Sequence, residues 1–301
     1  MKSDMAEIQP SDPSSSGSSP QPSKSGYGLD HRRIYPALVF IPLFYLLTRY
    51  GHATLFFAFI SITAILALWE FYALQFPPAQ NRSGFLAGIG GAVLLLVSMQ
   101  WPTFLRFETA LAVTLFILLF YLVVVAPSPL QKNNPLPFLL FGLIYIAFPL
   151  GHLLLLRQLP YGAFLIFFVL LVSWAGDAAA YYAGKCLGSR PIAPVLSPKK
   201  TVEGFIGGLV AAPLVAWLSQ LWFLPILSPL DCVVLGLLLT TIGLVGDLAE
   251  SAFKRQAGVK DSGGLIPGHG GMLDRVDSLL LTIPTFYYYI LLVKDHQALY
   301  S

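Results

Sequence analysis

The stretch LAVTLFILLFYLVVVA, residues 111–126, carries no charge and no alternation of polar with apolar residues. A bilayer core holds no water to satisfy backbone groups, so a segment of this kind crosses it as a helix that pairs those groups internally. Residues 230–248 are likewise continuously apolar between Asp231 and Asp247. A membrane β-barrel would instead alternate lipid-facing and lumen-facing residues. Working outward, apolar runs recur at about 34–48, 53–76, 84–100, 107–126, 136–156, 161–183, 204–224, 230–250 and 278–293. Breaks fall where Pro and charge gather, as at Pro77-Pro78, Trp101-Pro102, Pro127 to Pro137 and Leu159-Pro160. The expected fold is all-α, a polytopic integral membrane protein with about nine transmembrane helices.

Composition supports that class. The chain is 56% hydrophobic and 11% charged, against roughly a quarter charged in soluble domains. A net charge of +3, scattered along the chain, gives no footprint for nucleic acid. Cys186 and Cys232 are too few and too far apart for a disulfide framework or a Cys-based zinc site. No internal repeat is visible, which weighs against an inverted-repeat transporter.

Residues 1–30 are rich in Ser, Pro, Gly and Gln, the composition of a disordered tail. Residues 31–160 then read as N-terminal transmembrane helices. Residues 161–301 read as a C-terminal catalytic region with polar loops at 184–203 and 251–277. Under nine spans, the side of the N-terminus holds Lys2, Lys24, Arg32, Arg33, Arg82, Lys132 and every basic residue of the two loops. The opposite side holds Arg49, Arg106, Arg157 and Lys294. Because basic residues stay in the cytoplasm, the N-terminus and both loops are expected there, in a multi-pass protein of the cell membrane. The loops are two spans apart, so they share a face and can build one site.

Asp247 and Glu250 lie three apart where the eighth span ends, and Asp274 and Asp277 lie three apart where the ninth begins. Each pair falls on one helical face. An ionisable residue near membrane depth is costly and is a functional hypothesis by default. Clustered carboxylates without His or Cys suit a hard cation, most often magnesium holding phosphates. The competing reading pairs these acids with Lys254, Arg255 or Arg275 as ordinary ion pairs. Between the acids, Lys254, Arg255 and Lys260 are interleaved with Gly263, Gly264, Gly268, Gly270 and Gly271. Glycine lets backbone amides approach a phosphate that the cations neutralise. No Walker loop is present.

The other loop, GKCLGSRPIAPVLSPKKTVEG at 184–204, offers Lys185, Arg190, Lys199 and Lys200 as positive charge. Ser197, Thr201 and Glu203 add hydrogen-bonding groups of the kind a nucleotide needs. Upstream, Asp177 stands in an apolar span ahead of Tyr181 and Tyr182, where an unpaired carboxylate is expensive. Spans before Asp177 contain little polar beyond Glu70.

The run SAFKRQAGVKDSGGLIPGHGGMLDRVD, residues 251–277, resembles the signature of the CDP-diacylglycerol synthases, or phosphatidate cytidylyltransferases. It matches without gaps through Ser251, Lys254-Arg255, Lys260-Asp261, Pro267, His269-Gly270-Gly271, Asp274-Arg275 and Asp277. SPKKTVEG at 197–204 and Asp177 with Tyr181 resemble a second region of that family, although Ala178 stands where Thr is expected. Upstream, Trp69-Glu70-Phe71-Tyr72 is the best local match. The resemblance implies transfer of the cytidylyl group of CTP to phosphatidic acid, giving CDP-diacylglycerol and pyrophosphate. It implies Mg2+, with room for a second cation such as K+, and leaves a homodimer open. Asp247, Asp274 and Asp277 become the metal ligands, with Lys260, Asp261, His269 and Arg275 beside them in the catalytic set. Asp177, Ser197, Lys199, Lys200, Thr201, Glu203, Lys254 and Arg255 become substrate contacts. His269, flanked by glycines, either donates to a phosphate or shapes the loop. Two other readings stay open: a CTP-dependent polyprenol or phytol kinase, and a transporter of a phosphorylated metabolite.

Overall fold

The computed structural model describes residues 31–76, 81–125, 134–264 and 270–294, with the backbone alone described for 31–40. The tail expected at 1–30 lies outside them. The described residues form nine helices and one short hairpin. The helices are α1 (His31–Tyr50), α2 (Ala53–Gln75), α3 (Arg82–Gln100), α4 (Phe107–Val125), α5 (Leu136–Gln158), α6 (Gly162–Leu187), α7 (Val202–Trp222), α8 (Pro229–Gln256) and α9 (Leu273–Val293). The hairpin pairs β1 (Pro191–Ala193) antiparallel with β2 (Ser197–Thr201). Helices α2 to α9 are long and apolar enough to cross a membrane, and α1 lies where the first expected span begins. The protein is an all-α polytopic membrane protein.

The apolar surface is turned outward as well as inward. Phe116, Leu119 and Val123 on α4, and Leu214, Leu218 and Trp222 on α7, are exposed, which suits a lipid solvent. Between helices, where lipid gives no hydrophobic drive, close approach of backbones has to hold the bundle. Gly204 and Gly208 of α7 supply it. A Cβ at Gly204 would lie 2.6 Å from the Ala180 carbonyl oxygen, and one at Gly208 would lie 3.1 Å from that of Gly176.

The helices run further than hydropathy alone suggests. Helix α8 continues to Gln256 and α9 already begins at Leu273, so the expected loop 251–277 shrinks to 257–272. Helix α6 continues to Leu187, and the remainder of 184–203 holds the hairpin. At 28 residues, α8 is about 42 Å long at 1.5 Å per residue, more than a hydrocarbon core of about 30 Å requires. Its final turn carries Lys254 and Arg255, which favour the negative end of the helix dipole. At the opposite end of α8, Ser228 and Asp231 form a reciprocal capping box, and Asp231 also takes Tyr289 Oη at 2.8 Å and the Lys294 ammonium.

Replacing Gly208 with Leu is expected to push α7 off α6 and lower stability by about 1–3 kcal/mol, the usual cost of overpacking. A reduced melting temperature of the detergent-solubilised protein measures it.

Candidate active site at the polar end of the bundle

The C-terminal ends of α6 and α8 and the N-terminal ends of α7 and α9 gather at one end of the bundle. Arg255 Nε reaches the Leu196 carbonyl at 3.4 Å, so the hairpin and the end of α8 touch. The two polar segments therefore share one face, and their charged side chains fall into two groups.

The first group is open. Lys200, at the end of β2, reaches down to Asp247 on α8 and forms an ion pair with it. Asp177 on α6 takes Ser278 Oγ at 3.1 Å, and Asp277 takes the Ser278 amide at 2.8 Å. Asp247 stands near enough to both Asp177 and Asp277 for the carboxylates to repel one another. Helix crossing brings them there, because a Cβ at Gly246 would sit 2.7 Å from the Asp277 carbonyl oxygen. Asp177 and Asp277 thus flank the Lys200–Asp247 pair, and Asp177 is exposed.

The second group is buried beside it. Lys254 Nζ lies 2.5 Å from Glu250 and 2.7 Å from Asp274. Asp274 Oδ2 accepts from the Ser262 amide at 3.0 Å, Ser262 Oγ at 3.0 Å and the Gly271 amide at 2.9 Å. Glu70, arriving from α2, accepts from the Met272 amide at 3.0 Å, the Leu273 amide at 2.8 Å and Ser262 Oγ at 3.1 Å. Glu70 is 3% exposed, so these contacts stand in for water, whereas Glu250, at 1%, has the Lys254 ammonium in their place.

The trio of Asp247, Asp274 and Asp277 is thus divided between the groups. Three residues advance a helix by about 4.5 Å with little change of face, so along the α8 crossing Asp274 meets Lys254 while Asp277 stands further along, beside Gly246. For Glu250 and Asp274 the ion-pair alternative describes what is seen. Among the described residues, no three Asp, Glu, His or Cys side chains are already closed around a common point.

Thr201, Glu203 and Ser197 have partners within the hairpin and its junction with α7. Thr201 caps α7 by accepting from the Gly204 amide at 3.2 Å. Glu203 takes the Ser189 and Arg190 amides at 3.0 and 3.2 Å and pairs with Arg190 Nε at 3.0 Å. Ser197 lies in β2 opposite Ala193. Lys199, Lys260, Asp261 and Arg275 are exposed at this end. Arg255, also exposed, binds the Val259 carbonyl at 3.0 Å. His269 and Gly268 lie outside the described residues. Two glycines expected to admit phosphate do something else. A Cβ at Gly263 would meet Glu70 Oε1 at 2.7 Å, and one at Gly271 would meet Glu70 Oε2 at 2.5 Å. Gly270 adopts φ 82°, a left-handed turn that glycine takes without strain.

Sequence reading misses Ser262, Ser278 and the role of Glu70. For Glu70 a signal exists, since a carboxylate inside an apolar span needs a stated partner.

A bundle of membrane helices with carboxylates and a lysine gathered at one end defines an integral membrane protein with its polar chemistry at that end. A cytidylyltransferase family model matches residues 31–293, and the chain belongs to that family of nucleotidyltransferases. A phosphatidate cytidylyltransferase of Bacillus subtilis is 38% identical over 213 residues, covering 69% of this chain and 79% of that protein. One from Staphylococcus saprophyticus is 34% identical over 265 residues, covering 83% and 94%.

Lys254→Met is expected to leave Glu250 and Asp274 buried without their cation, a loss of about 3–5 kcal/mol. The melting temperature in detergent should fall by more than for the exposed Lys260→Met, and equal midpoints would contradict the buried pairing.

Proposed function

We propose that this protein transfers the cytidylyl group of CTP to phosphatidic acid, giving CDP-diacylglycerol and pyrophosphate in phospholipid biosynthesis. The open group of Asp177, Lys200, Asp247 and Asp277 carries the reading. It joins carboxylates and an ammonium at the end of a membrane bundle, in a chain of the cytidylyltransferase family. Relatives named for the same activity support the choice of acceptor. The lipid-kinase and transporter readings have no comparable support.

The acceptor is a phosphate monoester, whose second pKa near about 6 leaves it largely dianionic at neutral pH. Its oxygen attacks the α-phosphorus of CTP, the bond from that phosphorus to the β-bridging oxygen breaks, and pyrophosphate carries away the electron pair. No side chain has to remove a proton from the nucleophile. The demand on the protein is to align two polyanions and offset the charge that develops in transit. Lys200, held among the acids by Asp247, would meet the reacting phosphates. Lys199, Arg255, Lys260 and Arg275 line the approach as phosphate contacts, and His269 is a further donor.

The donor set fits a divalent cation. Asp247 is paired with Lys200, while Asp177 and Asp277 stand close to it without a cation of their own, which leaves negative charge and free oxygens of the hard type that Mg2+ prefers. Asp247 and Asp277 would hold it, with Asp177 beside them. Asp274 already accepts from four donors and belongs to the frame. Bound there, Mg2+ supplies charge neutralisation for the triphosphate and the departing pyrophosphate. Magnesium uses one or two carboxylates, so the remainder can serve a second ion such as K+.

This end faces the cytoplasm in our reading, because Arg82, Lys185, Lys199, Lys200, Lys254 and Arg255 gather here. Acyl chains stay among the helices while the head group reaches the polar end.

With CTP and phosphatidic acid, purified protein should release pyrophosphate and form CDP-diacylglycerol. Release of CDP with no pyrophosphate would overturn the reading. Chelation should abolish turnover and Mg2+ restore it. Asp277→Ala, inserted at normal levels, should lose at least about 100-fold of kcat, in the range seen when a key electrostatic group is removed. Orientation is testable on the native thiols, since Cys186 is exposed at the polar end and Cys232 is buried. A membrane-impermeant maleimide should label Cys186 in inside-out vesicles and leave right-side-out vesicles unlabelled.

A further inference from the structure

Helix α9 begins without a cap of its own. Its N-cap residue is Met272, which has no side-chain acceptor, yet the first amides of any helix need partners from outside it. Those of Met272 and Leu273 are taken by Glu70, about 200 residues earlier on α2. Its carboxylate also sits at the positive end of the α9 dipole, which favours a negative charge there.

Glu70 is placed with precision. Phe71, next in sequence, packs on Phe253 of α8 with ring centroids 5.3 Å apart. Tyr72 is fully buried and donates to the Leu139 carbonyl at 3.0 Å, wedged where a Cβ at Gly88 would come within 2.7 Å of its hydroxyl oxygen. On the other side Trp69 meets Phe85 edge to face at 5.2 Å. Flanked in this way, the Glu70 carboxylate has little freedom. The loop conforms to it through Gly263 and Gly271, and the single proton of Ser262 Oγ bridges Glu70 Oε2 and Asp274 Oδ2.

Asp277 lies one turn along the same helix, at its crossing with α8. We propose that Glu70 is a positioning residue for the transfer reaction: it caps α9 from α2 and so sets where Asp277 stands against Asp247 and Lys200. This assignment rests on the reaction proposed above. It also gives the N-terminal helices a part in catalysis, because the reference point for the reacting end is anchored in them.

Glu70→Gln is the decisive variant, since it keeps size and packing while replacing one of the two acceptor oxygens with a donor. A displacement near 1 Å costs on the order of 100-fold in rate, so kcat should fall by at least about tenfold. KM for CTP and for phosphatidic acid should stay within about twofold, because the phosphate-binding cations are not attached to Glu70. Hydrogen–deuterium exchange should rise in residues 270–278 and remain unchanged in α6 and α7. A role in packing alone would leave the isosteric variant with wild-type kcat and exchange, and that result would overturn the proposal. If Glu70→Gln does not accumulate in the membrane, Ser262→Ala removes one bridging donor and should show the same pattern at smaller amplitude. Wild-type exchange and kcat in Ser262→Ala would then reject the clamp. The exchange measurement needs no substrate. Wild-type protein that makes no CDP-diacylglycerol would refute the proposed reaction, while raised exchange at 270–278 in the variant would still uphold the cap.

Discussion

Carboxylates set into a membrane bundle must find donors within it, and the rest of the polar end is arranged around that requirement. Glu70, Glu250 and Asp274 are met by one ammonium, that of Lys254, together with the backbone amides of Ser262, Gly271, Met272 and Leu273 and the hydroxyl of Ser262. Those donors come from α8, from α9 and from the loop between them, while Glu70 comes from α2. Satisfying the charges therefore fixes three helices relative to one another. An unsatisfied buried charge costs far more than a lost contact between apolar side chains, which is why this node, rather than any one apolar layer, sets the geometry of the reacting end.

Beside that node the open group has the opposite character. Asp177, Asp247 and Asp277 outnumber the lysine among them, and their oxygens are not exhausted by the protein. A folded protein that gathers like charges loses stability by doing so, and in the proposed reaction a bound cation and triphosphate would offset that loss. The two groups sit one helical turn apart on α8 and on α9. One turn is the distance over which a helix transmits position without slack, so the buried group, tied together through Lys254, Asp274 and Glu70, can act as the rigid support of the open one. The hairpin follows the same logic: Glu203 and Thr201 hold its fold, leaving Lys200 aimed into the group.

Much of this is legible in the residues. The spans follow from hydropathy, and the sharing of one end by the two polar segments follows from counting them. The residue types at 251–277 point by themselves to phosphate and cation chemistry. Which acid serves which purpose is not legible. Asp274 and Asp277 look alike in a sequence, and so do Glu250 and Asp247, because spacing along one helix says nothing of what the neighbouring helix presents. Gly263 and Gly271 suggest room for phosphate, whereas in the fold they are room for Glu70. The ends of the helices are equally hidden, since a hydropathy window stops where charge begins, whereas Lys254 and Arg255 suit the last turn of a helix and continue it.

The sequence by itself determined the class of fold, the grouping of charge at one end and the family, because each depends on the composition of a local stretch that water or lipid reads directly. Only the tertiary structure decided that a glutamate of the second helix caps the ninth, that Lys254 pairs with Asp274, and that Lys200 pairs with Asp247. Those pairings join residues from 20 to about 200 positions apart. They exist because the helices are packed closely enough, at glycines, for each buried charge to reach the partner that costs it least.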